Sequence, residues 1–69
     1  MILATSALVR RTDSHGNSVT IPFDQAVQEI IEWLTAIGCW REAEFEHVAA
    51  ELRGHPVKSD FGFFYEAKR

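Results

Sequence analysis

Two periodicities divide the chain. Residues 2 to 12 are rich in Leu, Val, Ala and Thr, contain no Gly or Pro, and have the composition of a strand. The run Asp13-Ser14-His15-Gly16-Asn17-Ser18 predicts a turn, because Gly16 and Asn17 take positive φ at little cost. Val19, Ile21 and Phe23 then alternate with Thr20 and Pro22, the pattern of a half-buried strand, so the first third reads as a hairpin. Pro22 has no N–H to give to a ladder and belongs on an open edge or at a strand end.

From Asp24 the period lengthens to that of a helix. Asp24 is placed to cap it, since its carboxylate accepts from the free amides of the first turn. Ala26, Val27, Ile30, Ile31, Leu34 and Ile37 form one apolar stripe; Gln25, Gln28, Glu29, Glu32 and Thr35 take the other face. Gly38 ends the helix in the left-handed conformation. A second helix is expected directly after the link Gly38-Cys39-Trp40, with Glu42 and Glu44 in its first turn, where negative charge suits the dipole. Its stripe is Phe45, Val48, Ala49 and Leu52, and Gly54 with His55-Pro56 closes it. The short link implies an angled helix pair.

Alternation returns from Phe61 to Lys68. Phe61, Phe63, Tyr65 and Ala67 share one side, while Gly62, Phe64, Glu66 and Lys68 share the other. The expected order is therefore ββααβ. The fold class that follows is a small two-layer α+β domain: a three-stranded, mostly antiparallel sheet with two helices on one face.

With 69 residues, one domain spanning the whole chain is expected, with a thin core and marginal stability that association would reinforce. The single cysteine, Cys39, allows no internal disulfide and points to a reducing, cytoplasmic setting. The apolar start precedes Arg10 and Arg11 rather than following them, unlike a secretory signal, and no run approaches a membrane span. Charge is unevenly placed. Residues 24 to 53 hold seven acids and two bases, and the rest of the chain five bases and three acids, within an overall charge of −3.

Few residues carry recognisable chemistry. A thiol–imidazole pair of Cys39 with His47 or His55 lacks flanking oxyanion glycines, and Cys39 suits a small apolar corner position. Glu44 and His47 have the Glu-x-x-His spacing of di-iron bundles, but one such pair is too few ligands. No catalytic residue, cofactor or metal is expected. Asp60-Phe61-Gly62 matches the kinase magnesium motif by chance, without the other motifs that family needs. Phe61-Gly62-Phe63-Phe64 resembles the middle of the aromatic strand motif of RNA-recognition domains. Ser59-Asp60 replaces the basic position before it, and Glu66 the final aromatic. Phe61, Phe63 and Tyr65 are instead expected in the core.

The remaining signal is the acidic helices. Glu29, Glu32, Glu42, Glu44, Glu46 and Glu51 are expected to face a protein partner with a basic surface. Trp33 at the margin of the first stripe, Trp40 in the helix–helix corner and Phe64 opposite its strand's aromatic stripe are either interface aromatics or core. The expected function is non-enzymatic: a small acidic interaction protein acting as an inhibitor or modulator. It is similar in kind to phage and mobile-element inhibitors such as the anti-CRISPR proteins, which block nucleic-acid-handling surfaces. The alternatives are a nucleic-acid-binding or regulatory module, with Arg10, Arg11, Lys58, Lys68 and Arg69 on one sheet face, or a homodimer paired through an open strand edge.

Overall fold

In the computed structural model, which describes residues 8–67, two antiparallel hairpins flank a pair of helices. The elements are β1 (Leu8–Thr12), β2 (Ser18–Pro22), α1 (Phe23–Ala36), α2 (Phe45–Gly54), β3 (Val57–Lys58) and β4 (Phe64–Ala67). The order is thus ββααββ, and the sheet has four strands, not three, arranged β2-β1-β4-β3 with every pairing antiparallel. The additional strand, β3, is two residues long and follows Pro56, too short for alternation to show in the sequence. Of the first expected strand, residues 2–7 lie outside the described residues, as does Lys68 of the last.

Both hairpins use the same turn. Gly16 donates to the Asp13 carbonyl and Asp13 to the Asn17 carbonyl (3.0 and 2.9 Å), with Gly16 at φ 85°. The Asp13 carboxylate accepts from the amides of His15 and Asn17. In the second hairpin Gly62 donates to the Ser59 carbonyl and Ser59 to the Phe63 carbonyl (3.2 and 2.8 Å), with Gly62 at φ 91°. The Ser59 hydroxyl, buried, accepts from the amides of Phe61 and Phe63. Each is a type I turn followed by a glycine in the left-handed region, a fit for a three-residue hairpin loop. The expected strand over 61–63 is therefore a turn: Phe61 sits at its tip, 58% exposed, and not in the core. Since β1 and β4 are neighbours, the two turns meet, and a Cβ on Gly62 would lie 3.1 Å from that of Ser14.

Helix α1 starts at Phe23, one residue before Asp24, so Pro22 occupies the capping position and Asp24 lies in the first turn. Phe23 is a buried helical residue under the Arg53 guanidinium (5.1 Å from its ring centroid) and does not continue β2. At the other end Cys39 donates to the Leu34 carbonyl and Gly38 (φ 85°) to that of Thr35, a Schellman closure. The link to α2 runs from 37 to 44, longer than expected, because Cys39 to Ala43 form turns of their own. Glu42 is in that link, Glu44 is the cap position of α2, and Glu46 is the acid in its first turn.

The core joins Val9, Ile21 and Tyr65 from the sheet to Phe23, Ala26, Val27 and Ile30 of α1 and Val48, Ala49 and Leu52 of α2. Both helices therefore cover the same sheet face. Ile37 and Phe45, the ends of the two expected stripes, are exposed. Among the described residues no helix is long and apolar enough to cross a membrane.

Candidate functional site

The six acidic residues expected to act together are dispersed. Glu29 is drawn inward, where its carboxylate accepts from the Arg11 guanidinium (2.6 Å), the Tyr65 hydroxyl (2.9 Å) and the Gln25 amide (3.1 Å). Burial alone would raise this carboxyl, but the hydrogen bonds outweigh it and hold Glu29 below the usual carboxylate range. The same burial, together with the Glu29 charge, pushes the Tyr65 phenol far above its ordinary value. Arg11 also lies over the Phe63 ring, 5.4 Å from its centroid. This cluster fastens α1 to β1 and β4 and engages both Glu29 oxygens within the fold. Glu32, Glu44 and Glu46 are exposed. Glu42 and Glu51 border a common concavity.

That concavity is an open groove of about 270 Å³ between the second half of α1, α2 and the entry to β3. Ile30, Trp33, Leu34, Val48 and Val57 line it with apolar surface, while Glu42, Glu51, His47, His55 and Lys58 supply its polar rim. His47 and Glu51 fall on one side of α2 because they are four apart, and His55, just past the end of the helix, reaches back to Glu51. His55 Nδ1 donates to the Pro56 carbonyl (2.8 Å) and Nε2 pairs with Glu51 (3.0 Å), and these contacts raise its pKa. Two carboxylates against one ammonium leave the rim negative while the imidazoles are neutral. The Trp33 indole N–H is buried and meets no acceptor among the described residues. Trp40, 74% exposed, stands in the link beside Glu42.

The basic residues are also divided. The register puts Arg10 and Lys58 on the uncovered sheet face with Phe64, where Arg10 pairs with Glu66 at 2.6 Å. Arg11 is on the helix-bearing face, tied to Glu29, and Lys68 and Arg69 lie outside the described residues. The single basic face expected from the sequence is therefore not formed by the described residues. Among them, no group of three His, Cys, Asp or Glu side chains is placed to hold a metal ion. A scan against protein-family models, a search of curated proteins and a search of solved structures each return no match.

Sequence reasoning missed the groove because it is built from both helices and a two-residue strand, and no local pattern reports that meeting. His47, Glu51 and His55 at four-residue spacing were the one available sign of a shared polar row.

Proposed function

We propose that the chain is a non-enzymatic protein-binding module that inhibits or modulates its partner by seating a basic, amphipathic segment in the groove between α1 and α2. The observation that carries this reading is the pairing of an apolar floor with Glu42 and Glu51 on the rim, beside the exposed Trp40. An apolar side chain of the partner gains from burial against Trp33 and Leu34, and flanking Lys or Arg gains from the two carboxylates. A partner whose basic surface handles nucleic acid would be blocked by such a contact. The closed Glu29–Tyr65–Arg11 cluster is assigned to the fold, not to chemistry.

The test is affinity capture from host lysate, run with and without nuclease treatment, with three forms of the chain: unaltered, Glu42→Lys with Glu51→Lys, and Glu46→Lys. Glu46 is exposed on α2 but does not line the groove. A protein held by the first and third forms and lost by the second is the expected result. A partner indifferent to the double change, or recovery of nucleic acid alone, overturns the proposal. The second result would favour the uncovered sheet face, where Phe64, Arg10 and Lys58 stand together.

A further inference from the structure

The two edges of the sheet, β2 and β3, are guarded differently. β3 is two residues long, carries Lys58 and follows Pro56, three features that discourage pairing with another strand. β2 runs for five residues, Ser18–Pro22, without a charge, and among the described residues it pairs only with β1.

The phase of the β1–β2 ladder fixes which backbone groups β2 turns outward. Asp13 donates to Asn17 at the hairpin end, so hydrogen-bonded pairs recur at Arg11↔Val19 and Val9↔Ile21. Thr12↔Ser18, Arg10↔Thr20 and Leu8↔Pro22 are then the closely approaching, non-bonded pairs. Two details agree with this phase. The Thr12 and Ser18 hydroxyls lie 2.9 Å apart, and Pro22, which has no N–H, falls where no donor to β1 is required. The N–H and C=O of Ser18 and Thr20 consequently point away from the sheet.

We propose that β2 pairs antiparallel with β2 of a second copy about a two-fold axis at Val19, merging two four-stranded sheets into one of eight. The register follows from the outward groups that are free. Centred on Val19, Ser18 and Thr20 of each copy exchange both hydrogen bonds with Thr20 and Ser18 of the other. Centred on Ser18, the pairing would need the Gly16 N–H, already given to Asp13. Centred on Thr20, Ile21 or Pro22, it would draw on the Pro22 carbonyl, which at the capping position of α1 serves the first helical turn. In the Val19 register the two Val19 side chains, each 47% exposed, come opposite one another on the helix-bearing face, so apolar side chains also meet. A second copy is favoured over a foreign strand because the pairing is self-complementary. One closed isologous contact removes both unguarded edges, in a chain small enough to benefit from association.

Sedimentation equilibrium of the full chain from roughly 10 μM to 1 mM tests this over the range of a small, weak interface. The mass is expected to rise from 7.8 kDa toward twice that value. Val19→Lys and Val19→Glu, each folded by circular dichroism, are expected to stay monomeric alone and to dimerise when mixed. Amide exchange at Ser18 and Thr20 is expected to slow at least tenfold with concentration, while positions 19 and 21 are protected throughout. A monomer across the whole range overturns the proposal. So does a dimer that survives Val19→Lys, or one in which the Ser18 and Thr20 amides still exchange freely.

Discussion

Replacing Tyr65 with Phe isolates one hydroxyl in the tightest polar cluster of the molecule. The ring is buried at 3% exposure and stays in place, so no side-chain-sized cavity opens. What is lost is the hydrogen bond to the Glu29 carboxylate at 2.9 Å. Bonds to a charged acceptor contribute about 1.5–3 kcal/mol. Glu29 is a quarter exposed and keeps Arg11 and Gln25 as donors, which places the expected loss near the lower end, about 1–1.5 kcal/mol. With a urea dependence of about 1 kcal/mol per molar for so small a chain, the unfolding midpoint should fall by roughly 1–1.5 M at neutral pH.

The pH dependence carries a stronger test. The folded carboxyl of Glu29 is held below its unfolded value, so its stabilisation is present above pH 4.5 and lost as pH falls through the folded value. The folded Tyr65 phenol is raised above its unfolded value of 10.0, so the stability linked to the neutral phenol is present below that pH. It is lost as pH rises beyond it. The difference between the parent and Tyr65→Phe should therefore be largest between about pH 5 and 9 and shrink on both sides. Urea titrations across that range measure it. A neutral-pH loss under about 0.3 kcal/mol, or one that does not change with pH, would refute the cluster as described.

Three further outcomes follow from the same geometry. Gly62→Ala meets both a positive φ and the Ser14 Cβ at 3.1 Å, whereas Gly16→Ala meets only the positive φ in open space. Thermal unfolding should show a loss of about 1–2 kcal/mol at Gly16 and a larger one at Gly62. Leu52→Ala, at a site 1% exposed, should cost about 2–5 kcal/mol. Against a total of about 3–10 kcal/mol for this length, that leaves the chain partly or wholly unfolded by calorimetry. For a partner in the groove, acidification should weaken binding. Protonating His55, whose pKa the Pro56 and Glu51 contacts raise, offsets one of the two rim carboxylates, and titration calorimetry at falling pH reads the change.

Periodicity reports contacts within one element, and the correct expectations are of that kind. The stripes of α1 and α2, the Gly38 closure and the first hairpin follow from residues close in sequence. The errors arise where one local signal competes with another. Phe61, Phe63 and Tyr65 alternate like a strand, but Ser59 and Gly62 impose a turn that removes Phe61 from it. The same spacing, an oxygen-bearing side chain three residues before glycine, occurs in the first turn at Asp13 and Gly16. Charge was misplaced for a different reason. Glu29 reads as one more surface acid until Arg11 and Tyr65 arrive from strands 18 and 36 residues away. A basic sheet face fails because consecutive strand residues point to opposite sides, separating Arg10 from Arg11.

The groove is the central claim, and the affinity of a captured partner at two salt concentrations tests it most directly. Unaltered chain and Glu46→Lys should bind alike and weaken together as salt rises. Glu42→Lys with Glu51→Lys should bind at least tenfold more weakly, about 1.4 kcal/mol, with a shallower salt dependence. Equal affinity and equal salt dependence in the double variant would contradict the account and place the partner elsewhere on the surface.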